Sequence, residues 1–151
     1  MIKGVLKIDM MKIQLNRIDN DYHFELKNER GHVTYIDSKE AVGGHDLAPS
    51  PMEYVLMGVA GCSAIDVISI LKKQRQEITS YRAEVDGIRE KIDGATPFKE
   101  ITVTVYLEGE IAPEKAKRAA TLSFEKYCSV SKTLEPTATI VYKVVLNNQE
   151  I

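Results

Sequence analysis

The sequence predicts an α+β fold in which helices pack against antiparallel sheet. Segments in which apolar and polar residues alternate are typical of half-buried strands, and two helical segments, each opened by a proline, interrupt them. The chain has 151 residues, of which 44% are hydrophobic and 28% charged. It is therefore long enough for one domain with a substantial core.

The strands are predicted from apolar residues that recur at every second position. Six segments share this pattern: 11–18, 22–26, 32–37, 81–90, 98–109 and 138–146. Short polar turns separate the first three, which therefore predict an antiparallel meander. The predicted order of elements is βββ–α–ββ–α–β.

The first helix is predicted over residues 51–73, "PMEYVLMGVAGCSAIDVISILKK". Ser50 is its expected N-cap, with Pro51 at the first helical position and Glu53 as the capping-box partner of Ser50. Apolar residues occur on all sides, which predicts a helix buried on most of its surface. A membrane span is disfavoured because Glu53 and Asp66 lie within the segment, and a charged group near the bilayer centre costs about 2.5–3.5 kcal/mol.

A second helix is predicted over 113–127, and a further short helix after it, at "CSVSKTL". The second helix has one apolar stripe, formed by Ala116, Ala119, Ala120, Phe124 and Tyr127. Glycines inside the first helix each cost about 1 kcal/mol relative to alanine. Close approach of another helix would offset this cost, and a second subunit is expected to contribute one. The chain is therefore expected to form a homodimer.

The rest of the composition limits the classes of function. Residues 11–151 are predicted to form a single domain, and residues 1–10 are a candidate extra segment, because a second start at Met10 or Met11 leaves the first strand intact. The net charge of −2, with both signs interspersed, predicts no nucleic-acid partner and no anionic membrane surface. Two cysteines are too few for a disulfide framework, and the opening residues lack the pattern of a signal peptide. We expect a reducing, cytoplasmic setting.

The two cysteines are the candidate reactive groups. Cys62 lies within the apolar first helix, whereas Cys128 is predicted just before a helix N-terminus. Unpaired amides at such a position lower the pKa of a thiol from about 8.5, and Lys126 and Lys132 are expected to act in the same direction. A free cysteine also packs as a small hydrophobic residue. The residues alone therefore leave two alternatives open, inert packing and a reactive pair.

Two segments, "PSPMEYVLMGVAGC" and "FEKYCSVSKTL", together resemble the OsmC/Ohr family of thiol peroxidases, over about residues 11–146. The resemblance implies an OsmC-like fold, an intertwined homodimer in which sheet wraps around central helices. It implies that Cys62 attacks an organic hydroperoxide, with hydrogen peroxide as a further candidate, and becomes a sulfenic acid. Cys128 would then form a disulfide with it, and an external dithiol would reduce that disulfide. No metal, flavin or nucleotide cofactor is implied.

The sequence departs from the family pattern at the residues that support the first thiol. Family peroxidases use an arginine and a glutamate that directly follows the helix-opening proline, but here Met52 follows Pro51. Glu53 lies about 180° around the helix from Cys62, so we expect it to cap the helix instead. Arg17 and Arg30 are the candidate arginines, and an exposed turn position is expected for Arg30.

Asp66 follows Cys62 by four residues and is expected on the same helical face. A carboxylate beside a thiol disfavours the thiolate, which predicts a weaker peroxidase or a different substrate geometry. His45 is expected to be a surface-loop histidine, and a metal site is not expected. The alternative function is an OsmC-fold dimer that binds a small hydrophobic ligand, with weak or no peroxidase activity.

Overall fold

The computed structural model describes residues 9–151. Most of the candidate extra segment, residues 1–8, lies outside the described residues. The chain forms two compact units that meet in sequence between Tyr54 and Val55. A single domain over residues 11–151 stays a prediction.

The first unit contains the predicted meander. Strands β1 (Ile13–Arg17), β2 (Phe24–Asn28) and β3 (Val33–Ile36) pair antiparallel in that order. The second strand starts two residues later than predicted, because the preceding turn is longer. The carboxylate of Asp19 accepts the amide protons of Asp21 and His23 and so extends the turn to His23.

The loop after β3 is organised by the buried carboxylate of Asp37, which is 1% exposed. It accepts backbone N–H groups from Ser38 (2.7 Å), His45 (3.3 Å) and Leu47 (3.1 Å). Burial alone would raise the pKa of Asp37, but these three amides outweigh it and the pKa is lowered. Gly44 completes the loop, since a Cβ there would lie 2.0 Å from the carbonyl oxygen of Ser38.

Helix α1 (Pro51–Lys73) has the predicted bounds. Its capping box is confirmed: the amide and hydroxyl of Ser50 donate to Glu53 Oε2 at 2.7 and 2.8 Å, and the Glu53 amide donates to Ser50 Oγ at 3.4 Å. These bonds lower the pKa of Glu53. Lys72 and Lys73 in the last turn complement the helix dipole.

The second unit contains a four-stranded sheet in the order β4-β5-β6-β7. Its strands are β4 (Glu77–Arg89), β5 (Phe98–Glu110), β6 (Thr139–Leu146) and β7 (Gln149–Glu150). The prediction of a purely antiparallel sheet is wrong here, because β6 pairs parallel to β5. Parallel neighbours need a long crossover connection, and residues 111–138 supply one that contains helices.

That crossover contains helix α2 (Pro113–Leu122), a π-helical turn (Ser123–Tyr127) and helix α3 (Ser129–Leu134). The prediction of one continuous helix over 113–127 is wrong. The amide of Cys128 donates to the carbonyl oxygen of Ser123, five residues back, at 2.7 Å, and this spacing defines a π turn. As a result Tyr127 leaves the predicted stripe and is 50% exposed.

The core of the second unit forms between α1, α2 and one face of β5. Its fully buried apolar side chains are Val59, Val67, Leu71, Ile101, Val103, Val105, Leu107, Ala116, Ala119 and Ala120. The sequence predicted that most of the surface of α1 is buried. Only one stripe of the helix is buried within the chain. Ile65, for example, is 72% exposed.

Helix α1 is long and apolar enough to cross a bilayer, judged by length and composition alone. The core helix of a soluble protein meets the same criterion. The predicted absence of a membrane partner therefore stays a prediction.

We expect Asp37→Asn to lower the free energy of unfolding, because an amide cannot replace a carboxylate that accepts three backbone N–H groups. The pKa of Asp37 lies below its ordinary value of 3.8. Its stabilising contribution is therefore present above that value and is lost as the pH falls through the folded-state pKa. Denaturant titrations at neutral and acidic pH measure both effects.

Asp46→Asn is the matched control, because Asp46 is exposed in the same loop. Its positive φ of 52° also suits asparagine. If both variants lose stability equally, the role assigned to Asp37 is contradicted.

Candidate active site

Helix α1 places Cys62 beside the buried stripe of the helix. Val59, Ser63 and Val67 are fully buried, whereas Cys62 and Asp66 are half-buried. Cys62 and Asp66 are four residues apart and therefore lie on one face of the helix. The sulfur of Cys62 is consequently at the edge of the core rather than inside it.

The second cysteine is the N-cap of α3, as predicted from its place before a helix. Its side chain is 0% exposed. The sulfur accepts hydrogen bonds from the Ser131 amide (3.4 Å) and the Ser131 hydroxyl (3.2 Å). The π turn before Cys128 and the cap after it together fix where the sulfur lies.

The structure brings both cysteines together within one chain. The Sγ atoms of Cys62 and Cys128 and a carboxylate oxygen of Asp66 all lie within 4.8 Å of one another. Both cysteines are free thiols. A disulfide, with an S–S bond of about 2.05 Å, therefore requires the sulfurs to approach further. We call these three side chains the thiol cluster.

Ser123 holds the carboxylate of the thiol cluster. Its hydroxyl donates to Asp66 Oδ2 at 3.1 Å and lies 3.5 Å from the carbonyl oxygen of Ser63. Within residues 9–151, Asp66 forms no ion pair. The Asp66 carboxylate is thus oriented by the Ser123 hydroxyl and not by a cation.

The expected lowering of the Cys128 pKa is wrong. Burial raises the pKa of this thiol; the hydrogen bonds from Ser131 act against the rise, and the neighbouring Cys62 sulfur adds to it. The two nearby lysines, which were expected to lower it, have other contacts. Lys132 binds the carboxylate of Glu135 at 3.1 Å, and Lys126 lies over the exposed ring of Tyr127.

The other candidate residues contact groups outside the thiol cluster or are exposed. The carboxylate of Glu53 is engaged by Ser50, as expected for a helix cap. Arg17 donates to backbone carbonyl oxygens in its own turn, and Arg30 is exposed, as expected. The His45 side chain is 53% exposed in its loop, and its bond to Asp21 raises its pKa.

Sequence reasoning missed Ser123 and Ser131, both fully buried. Ser131 follows Cys128 by three residues, which is the spacing of a capping interaction and was a usable signal. No comparable signal identified Ser123, because its role depends on the π turn.

An open groove of about 560 Å³ adjoins the thiol cluster at Asp66. Its lining residues are Asp66, Ser69, Ile70, Lys73, Gln74, Leu122 and Tyr127. This groove presents charged and amide groups beside apolar ones. Asp66 is the member of the thiol cluster that lines it.

We expect the free energy of unfolding of the reduced protein to fall at alkaline pH. The folded-state pKa of Cys128 is raised above its ordinary value of 9.0. This stabilising contribution is therefore complete below the ordinary pKa and is lost as the pH rises through the folded-state pKa. Denaturant titrations from about pH 7 to 10, with reductant present, measure it.

Cys128→Ser is the control for this measurement, because serine does not titrate in that range. It should remove the Cys128 part of the pH dependence. An unchanged pH dependence in this variant would show that the buried thiol is not its source.

The chain is similar to known proteins in sequence and in fold. A family model described as OsmC-like protein matches residues 43–143. Protein YhfA of Escherichia coli (strain K12) is 40% identical over 118 residues, which cover 76% of this chain and 84% of that protein.

Among solved structures, a hypothetical protein from Aquifex aeolicus VF5 is 26% identical, with a TM-score of 0.76 over 93% of this chain and 99% of that one. An organic hydroperoxide resistance protein from Elizabethkingia anophelis is similar in fold, with 12% identity and a TM-score of 0.74 over 95% of this chain and 100% of that one. The family match and the fold agree with the paired cysteine segments. The chain belongs to the OsmC/Ohr family.

Proposed function

We propose that this protein is a thiol-dependent peroxidase that reduces organic hydroperoxides, with Cys62 as the attacking thiol and Cys128 as the resolving thiol. The observation that carries the proposal is the thiol cluster, in which two free thiols lie within 4.8 Å in one chain. One of them is half-buried and the other is fully buried. Membership of the OsmC/Ohr family supports the same chemistry.

In the first step the Cys62 thiolate attacks the terminal oxygen of the hydroperoxide. The O–O bond breaks, the alkoxide leaves and takes up a proton as the alcohol, and Cys62 becomes a sulfenic acid. Cys62 suits this step because it is half-buried, whereas Cys128 is buried. The thiolate is the nucleophilic form of cysteine.

In the second step the Cys128 sulfur attacks the sulfenic sulfur of Cys62. The S–S bond forms, the S–O bond breaks, and the hydroxyl leaves as water after it gains a proton. An external dithiol then reduces the disulfide by thiol–disulfide exchange. Burial of Cys128 suits a thiol that reacts only with its neighbour.

We expect one equivalent of tert-butyl hydroperoxide to convert two free thiols per chain into one disulfide between Cys62 and Cys128. Cys128→Ser should stop at the Cys62 sulfenic acid, which dimedone traps, and Cys62→Ser should leave Cys128 as a free thiol. Thiol counting and mass spectrometry of the peptides measure each outcome.

Peroxide consumption that survives Cys62→Ser would contradict the proposal. A wild-type protein that consumes no peroxide would favour the alternative of a hydrophobic-ligand-binding protein. An apolar groove of about 350 Å³ in the first unit, lined by Ile13, Leu26 and Ile36 among others, is the feature on which that alternative depends.

We further infer a homodimer that uses the exposed side of α1. Met57 is 49% exposed and Ile65 72% exposed, and a Cβ on Gly61 would meet nothing within 4 Å. A Cβ on Gly58, in contrast, would lie 3.6 Å from Val130 of α3, which is an ordinary contact distance. Exposed apolar surface of this kind is typical of an interface.

We expect Ile65→Glu to shift the protein from dimer to monomer, because a buried unpaired carboxylate at the interface is unfavourable. Light scattering coupled to size exclusion measures the mass. Lys73→Glu, at the polar end of the same helix, should leave the dimer intact. A monomeric wild-type protein would refute the dimer.

A further inference from the structure

We propose that Asp66 is the acid–base group of the second step, which takes the proton from Cys128 and delivers it to the hydroxyl that leaves Cys62. The proposal rests on the proposed peroxidase function and adds a catalytic residue to it. The roles of the two cysteines are unchanged. Asp66 transfers the one proton that moves during disulfide formation.

The first support is the position of the carboxylate. One oxygen of Asp66 lies within 4.8 Å of both sulfurs of the thiol cluster. This separation is short enough for one bridging water, or for direct contact after a small side-chain movement, and catalytic hydrogen bonds in unliganded proteins are often long. No other histidine, cysteine, aspartate or glutamate among residues 9–151 is grouped with the two thiols in this way.

The second support is the proton balance of the step. Cys128 must lose a proton as its sulfur attacks, and the departing hydroxyl must gain one to leave as water. A carboxylate that accepts the first proton and donates it to the oxygen returns to its starting state. The step needs no outside acid or base.

The third support is the environment of Cys128. The thiol is fully buried, and burial disfavours its charged form. Ser131 donates hydrogen bonds to the sulfur with both its amide and its hydroxyl, so it stabilises developing negative charge but supplies no base. Asp66 is the carboxylate within reach of the buried proton.

The fourth support is the hydrogen bonding of Ser123. Its hydroxyl holds Asp66 Oδ2 at 3.1 Å, while its carbonyl oxygen accepts the Cys128 amide at 2.7 Å. The same buried residue therefore orients the carboxylate and fixes the backbone of the resolving cysteine. Ser123 is a positioning residue in this scheme.

The first step, in which the Cys62 sulfur attacks the hydroperoxide, does not use the proton acceptor at Asp66. Removal of the carboxylate should therefore slow the second step selectively. Asn is nearly isosteric with Asp and keeps an acceptor for the Ser123 hydroxyl. Asp66→Asn thus tests the proton transfer with little change in packing.

We expect Asp66→Asn to slow disulfide formation by about 10²-fold, the lower end of the usual contribution of acid–base catalysis. Its rate of sulfenic acid formation should be equal to or faster than that of the wild type. The experiment mixes reduced protein with tert-butyl hydroperoxide and follows sulfenic acid and disulfide separately, by quenching with dimedone and peptide mass analysis. Asp66→Glu should restore part of the second step.

The pH profile of the second step is an additional readout. The titratable groups that face Asp66 are Cys62 and Cys128 in the thiol cluster, and Lys73 and Tyr127 in the adjoining groove. We expect the pH profile of disulfide formation to differ between the wild type and Asp66→Asn. Asp86→Asn, an exposed position on β4, is the matched control and should behave as the wild type.

The outcomes separate this proposal from the proposed function. Equal rates of disulfide formation in wild type and Asp66→Asn, or a variant slowed equally in both steps, would overturn the role of Asp66 and leave the peroxidase standing. If the wild type itself forms no sulfenic acid, the peroxidase proposal fails, and the role of Asp66 fails with it.

Discussion

The hydrogen bond from the Cys128 amide to the Ser123 carbonyl oxygen is the interaction on which the site depends. At 2.7 Å it closes a turn with π spacing between α2 and α3. Phe124 is buried, with its ring stacked on Tyr142 at 4.8 Å, and the turn leaves Tyr127 exposed. An α-helical continuation would give the Cys128 amide a different acceptor. Isolated π turns are frequent at functional sites.

The electrostatics of the thiol cluster make its two sulfurs unequal. Two thiols and a carboxylate are grouped together, and in the described part of the chain no ion pair offsets Asp66. Burial favours the protonated form of Cys128, whereas Cys62 at the edge of the core meets solvent more easily. This difference in burial suits the proposed order of reaction, in which one sulfur is oxidised first and the other traps the product.

Helix α1 combines two functions in one segment. Its first turn is closed by Ser50 and Glu53, so the glutamate nearest its opening proline is engaged in capping. The carboxylate that reaches the thiols comes instead from Asp66, one turn after Cys62. In the proposed peroxidase, a carboxylate at this position is placed to transfer the proton of the second step.

The sequence by itself determined the features that depend on neighbouring residues: the bounds of α1, its capping box, the meander, the place of Cys128 before a helix and the shared face of Cys62 and Asp66. Only the tertiary structure decided the parallel pairing of β5 and β6, the π turn, and the raised pKa of Cys128. The physical reason is the separation along the sequence of the residues that each feature depends on. Capping and periodicity act within one or two turns of chain, whereas burial of a thiol and the choice of a strand partner depend on residues that are distant in sequence.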